Sequence, residues 1–76
     1  MNMTSKNAQR AAATESDPRW AAVVARDTKA DGSFWYSVAS TGVYCRPSCA
    51  ARQPRPQNVR FYRNRAGAER AGFRPC

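Results

Sequence analysis

Two thiols, Cys45 and Cys49, flank an Arg46-Pro47-Ser48 segment, and a third, Cys76, follows after 26 intervening residues. A thiolate is both a nucleophile and a soft metal ligand, and a neighbouring Arg or a bound cation lowers its pKa well below the ordinary value of about 8.5. Thiols four positions apart reach one metal ion when the chain turns between them, as Pro47-Ser48 permits. Cys45, Cys49 and Cys76 therefore read as three quarters of a four-thiolate zinc site, with no His in the chain to complete it. Taken bare, the same spacing also suits structural ligands without transfer chemistry, or thiols buried in a core.

The elements that must hold these thiols have little to build with. Seventy-six residues make one small domain at most. Fourteen are Ala, five are Val, and none is Leu or Ile. The core therefore leans on Trp20, Phe34, Trp35, Tyr36, Tyr44, Phe61, Tyr62 and Phe73. A chain of this size buries only about 60% of its unfolded surface, and domains in that position usually carry a metal or disulfide staple. The cysteines have a structural job before any functional one is considered.

Residues 1–15 carry no periodicity and no large apolar group, and read as a disordered leader before a domain over 16–76. Ser16 or Asp17 suits a helix N-cap with Pro18 in the first turn, and Trp20, Val23 and Val24 mark the buried face of a helix ending near Arg26. Asp31-Gly32 signals a turn. Phe34–Val38 alternates as a strand with Phe34, Tyr36 and Val38 on one side. Ser40-Thr-Gly42 links it to a return strand, Val43–Cys45, which puts Cys45 at a strand end before a rigid turn. A basic loop over 50–58 precedes a third strand, Val59–Tyr62. Asn64 caps a second helix running through Ala71, with Gly72 as its stop. The fold class is α+β: a small zinc-stabilised domain of helix, short antiparallel strands and helix.

The charge balance points to a partner. Thirteen Lys and Arg stand against five Asp and Glu, a net charge of +8. Eleven of the thirteen are Arg, whose planar fork grips phosphate. They concentrate after Cys45 (Arg46, Arg52, Arg55, Arg60, Arg63, Arg65, Arg70, Arg74), where Glu69 is the single acid. Nucleic acid is the expected partner, and Arg46, beside the first cysteine, is a candidate contact. There is no signal-peptide pattern and no run that spans a membrane. The expected address is cytoplasmic, where close cysteines bind metal or react more often than they form disulfides.

The residues flanking the cysteines sharpen this reading. Arg19-Trp20, Ala25-Arg-Asp27, Ala30-Asp-Gly32, Thr41-Gly42, Tyr44-Cys-Arg-Pro-Ser-Cys49, Ala51-Arg52, Asn58-Val59, Phe61-Tyr62 and Ala71-Gly-Phe-Arg-Pro-Cys76 resemble the N-terminal domain of the Ada DNA-repair proteins. The resemblance implies a zinc-bound cysteine that accepts the methyl group of methyl phosphotriesters in double-stranded DNA, once per molecule. It makes Cys45 the acceptor and a zinc ligand, with Cys49 and Cys76 as further ligands. It places Thr41, Arg52 and Arg74 at the DNA backbone. In that family a fourth cysteine follows the third after two residues, so the chain is expected to be incomplete beyond Cys76. Some family proteins add transcriptional regulation and a second repair domain.

The physics of that implied chemistry is coherent. Zinc with four thiolates carries about −2, so its sulfurs stay deprotonated and electron-rich. Such a cluster repels an anionic phosphodiester, whereas a methylated phosphate is neutral and can approach. No general base is needed. The expected protein is a monomeric, single-turnover methyltransferase with no membrane partner. Its alternatives are a zinc-dependent DNA-binding module and a fragment without transfer activity.

Overall fold

The computed structural model describes residues 5–76. Its centre is strand β1 (Trp35–Val38), flanked antiparallel on one side by β2 (Val43–Cys45) and on the other by β3 (Val59–Tyr62). A fourth strand, β4 (Arg74–Pro75), runs parallel to β2, so the sheet is mixed in the order β3-β1-β2-β4. Alternation along Phe34–Val38 sends Phe34, Tyr36 and Val38 to one face, where all three are buried with Val59, Cys45 and Val23. Each such side chain contributes about 1.5–3 kcal/mol on burial. Phe34 meets Phe61 edge-on at 5.6 Å between ring centres, the arrangement favoured by aromatic quadrupoles.

Helix α2 (Pro18–Ala25) covers that face. Asp17 caps it, accepting from the Arg19 backbone N–H at 2.9 Å and from the Arg19 guanidinium at 2.7 and 3.0 Å. The guanidinium lies 4.7 Å above the Phe61 ring, which ties the helix start to β3. The helix ends in a left-handed Arg26. Val23 is buried and Trp20 packs on the core as expected, but Val24 is 46% exposed. The buried stripe of α2 thus passes through Trp20, Ala22 and Val23, because an eight-residue helix over a narrow sheet has room for a thin seam only.

The opposite face is covered by α3 (Arg65–Arg70), capped by the Asn64 side chain on the Gly67 N–H at 2.9 Å. Ala68 is fully buried there beside Ser37, whose hydroxyl donates to the Tyr62 hydroxyl at 3.3 Å. Tyr44 donates to the Glu69 carboxylate at 2.6 Å, joining β2 to α3.

The sequence expectation for residues 1–15 needs correction. Residues 1–4 lie outside the described residues, but Lys6–Ser16 form helix α1, with Ser5 as N-cap accepting from the Ala8 N–H at 3.1 Å. This run is rich in Ala, the best helix former. It docks through small groups on the Pro56–Asn58 turn, with Thr14 buried and donating to the Val59 carbonyl at 3.4 Å. A search for large apolar residues passes over such a helix. Among the described residues, no helix is long and apolar enough to cross a membrane.

Candidate metal centre

Cys45 ends β2, opposite Tyr36 of β1, and both are buried in the core. The chain then turns: the Cys49 N–H donates to the Arg46 carbonyl at 3.0 Å, and Pro47 is fully buried. From outside the turn, Asp31 accepts from the Ser48 backbone N–H at 3.1 Å and from the Ser48 hydroxyl. Cys76 arrives by another route. Helix α3 stops at Gly72, whose φ of 97° belongs to the left-handed region glycine adopts freely. The Phe73 N–H closes back on the Ala68 carbonyl at 3.1 Å. The arm then runs along β2, with the Arg74 N–H on the Gly42 carbonyl at 3.1 Å and the Cys76 N–H on the Tyr44 carbonyl at 3.2 Å.

These two routes bring the three sulfurs within 4.8 Å of one another. The Cys49 and Cys76 sulfurs are 3.5 Å apart. Tetrahedral zinc with Zn–S bonds of about 2.3 Å holds its sulfurs roughly 3.8 Å apart, so the donor set and spacing fit that ion. The environment needs one. Burial first, then the Cys76 and Cys49 thiols, push the Cys45 thiol far above its ordinary range. At Cys49 burial pulls upward, but the Ala51 N–H and the other two thiols outweigh it and hold this thiol low. Without a cation the cluster therefore leaves Cys45 protonated at neutral pH. Burial first, and then the facing sulfurs, likewise keep the Tyr36 phenol protonated.

Cys45 stands between two cavities. The larger, of about 660 Å³, is lined by Tyr36, Thr41, Cys45, Arg52, Arg55 and Cys76 among others. The smaller, of about 330 Å³, has Arg46 on its wall with Trp35, Tyr44 and all three cysteines. Thr41 and Arg52 thus share one cavity with Cys45, while Arg46 lies on the other side of the cluster. Arg74 is exposed on β4 and lines neither cavity. An Arg26 side-chain N–H donates to the Ala51 carbonyl at 3.3 Å, fixing the loop that presents Arg52. Sequence reasoning did not single out Asp31, Ser48 and Tyr36 at this site. Asp31-Gly32 signals only a turn, and nothing local links it to a residue 17 positions on.

A family model described as the metal binding domain of Ada matches residues 18–76. The bifunctional transcriptional activator/DNA repair enzyme Ada of Escherichia coli (strain K12) is 50% identical over 68 residues, covering 90% of this chain and 19% of that protein. AdaA of Bacillus subtilis (strain 168), which carries the same description, is 43% identical over 61 residues, covering 80% of this chain and 29% of AdaA. The chain therefore spans less than a third of these curated relatives. Among solved structures, the methylated N-ADA/DNA complex superposes with a TM-score of 0.75 at 55% identity, covering 76% of this chain and 44% of that one. The DNA methyl phosphotriester repair domain of E. coli Ada gives 0.71 at 55% identity, covering 76% and 63%.

Proposed function

The chain belongs to the family of Ada metal binding domains, and from that premise we propose that it repairs methyl phosphotriesters in double-stranded DNA by taking the methyl group onto Cys45. The observation that carries this reading is the Cys45 sulfur itself. It is mounted on a paired strand, clustered with two other thiols, and placed on the wall of a cavity that also holds Thr41 and Arg52. Cys45, Cys49 and Cys76 are the ligands, and zinc, when bound, keeps their sulfurs deprotonated at neutral pH.

In the transfer, a Cys45 lone pair forms the new S–C bond as the methyl C–O bond breaks. The bonding pair leaves on the phosphate oxygen, so the products are a thioether and a phosphodiester anion. No proton moves, which suits a chain without His. Arg52 and Thr41 face the lesion from the cavity, and Arg46 and Arg74 add backbone contacts that carry no sequence preference. Discrimination against intact DNA comes from charge: an anionic sulfur cluster repels a phosphodiester and tolerates a neutral triester. Methylating Cys45 removes one negative charge and so raises DNA affinity. The protein acts as a monomer, in the cytoplasm, where thiols stay reduced.

Incubating zinc-loaded protein with DNA bearing methyl phosphotriesters tests this. Mass spectrometry should find one added methyl on the Cys45 peptide, and none on Cys45→Ser. Zinc and DNA binding without that methyl would reassign the chain as a binding module. Failure to bind zinc at all would remove the reading.

A further inference from the structure

The carboxylate of Asp31 engages both polar residues between the first two cysteines. Its Oδ1 accepts the Ser48 backbone N–H at 3.1 Å, its Oδ2 accepts the Ser48 hydroxyl, and the Arg46 Nε lies 3.9 Å from Oδ2. Asp31 is itself firmly mounted. Its N–H donates to the Thr28 carbonyl at 3.2 Å, closing a 3-10 turn over Thr28–Ala30, and it bridges to Phe34, a core residue. The carboxylate therefore reports the position of the core to the turn. On the inner side of the same turn, Pro47 is fully buried.

We infer that Asp31 is a positioning residue for the cysteine cluster, holding the Arg46–Ser48 turn so that the Cys45 and Cys49 sulfurs converge, and restraining the Arg46 charge beside them. The inference rests on the metal-thiolate reading above. A two-pronged hold on Ser48 fixes the backbone one residue before Cys49, where a small rotation swings the sulfur away from Cys45. The Ser48 hydroxyl is also the main cause of the low Asp31 pKa, so the carboxylate stays ionised and keeps accepting. The Arg46 contact is looser: its side chain is 68% exposed and at 3.9 Å is held by charge alone. Asp31 thus offsets part of the positive charge that Arg46 would otherwise offer to DNA. The two tasks have different chemical needs. Holding Ser48 requires an acceptor for its N–H and a partner for its hydroxyl, which Asn supplies with Oδ1 accepting the N–H and Nδ2 donating to the reoriented hydroxyl. Restraining Arg46 requires the negative charge.

That difference makes the inference testable with Asp31→Ala, Asp31→Asn and Ser48→Ala in the full chain loaded with zinc or cobalt(II). Losing a partner that orients a metal site typically costs 10–100-fold in affinity. Asp31→Ala should therefore release zinc to a chelator at least about 10-fold faster and shift the cobalt–thiolate charge-transfer band. Asp31→Asn should release zinc at close to the wild-type rate. Ser48→Ala should fall between them, and adding it to Asp31→Ala should change little, since both remove one interaction. On unmodified duplex DNA, Asp31→Asn should bind more tightly, its log–log salt slope steeper by up to about 0.9, as expected when one more cation reaches phosphate. Asp31→Ala that stays folded by circular dichroism and keeps the wild-type release rate and cobalt spectrum overturns the positioning role. Asp31→Asn that sheds zinc as fast as Asp31→Ala overturns the acceptor argument. A wild-type chain that takes up no cobalt overturns the metal assignment together with this role.

Discussion

Cys45 and Cys76 reach the same point from very different supports. Cys45 ends a strand paired with β1 through Tyr36, Ser37 and Val38, and the residue is 6% exposed. Cys76 follows a two-residue strand, is exposed, and is tied to β2 by backbone bonds from Arg74 and from itself. A core holds the first sulfur whether or not anything binds it. The second has little apolar burial to fix it, and local stability follows burial and hydrogen bonding. The fold fixes the Cys45 sulfur firmly, whereas the Cys76 sulfur is held in the cluster by a short arm with few bonds.

The largest effect expected from this contrast is that of metal removal. Stripping the zinc should abolish amide-exchange protection at Arg74 and Cys76 while leaving protection in β1 and β2 largely intact. In the metal-free protein, Cys49 should be alkylated before Cys45 at neutral pH, because core burial still pushes the Cys45 thiol high while the Ala51 N–H still lowers that of Cys49 once the arm is loose. Raising the pH should bring Cys45 in after Cys49, since its thiolate forms only as the pH climbs towards its raised pKa. Loss of protection in β1 at the same rate as in the arm would erase the distinction between the two supports.

A smaller effect is expected at the hinge of the arm. Gly72 has φ 97° and open space where a Cβ would lie, so Gly72→Ala brings backbone strain without a clash. That strain is of order 1–2 kcal/mol, which lowers Tm by roughly 4–8 °C per kcal/mol in a chain this size. Thermal melts with and without zinc read it, and the deficit should be larger with zinc, when the arm is docked. An equal deficit in both states would mean that the strain acts through α3 and not through the arm.

The smallest effects concern single surface arginines. Arg52→Ala and Arg74→Ala should each weaken DNA binding several-fold and lower the salt slope by up to about 0.9. Arg52 sits on a loop held by Arg26, so its loss should tell with or without zinc. Arg74 rides on the arm, so its loss should tell only in the zinc-bound protein. Fluorescence anisotropy across a salt series distinguishes the two.

Much of this arrangement was legible in the residues. Phe34–Val38 alternates cleanly because one sheet face is a true core, and Asp17-Pro18, Asn64 and Gly72 stand where capping chemistry demands them. The cysteine spacing and its flanking residues pointed to the cluster that the structure assembles. What stayed hidden was whatever depends on distant partners. Asp31 carries no local sign that it reaches Ser48, and Val24 sits at helical spacing yet stays largely exposed. The two residues of β4 are too few to carry a pattern, and their pairing with β2 follows from where α3 stops.

The Thr14 hydroxyl on the Val59 carbonyl has a consequence for how copies of this protein behave together. β3 is an outer strand of the sheet, and an outer strand with free backbone groups is a template for another molecule. Helix α1 occupies the start of that rim. The opposite rim is only two residues long and contains Pro75, which has no N–H to offer. Proteolytic loss of the Lys6–Ser16 helix should uncover the start of that rim and promote edge-to-edge association, which light scattering across a concentration series would read.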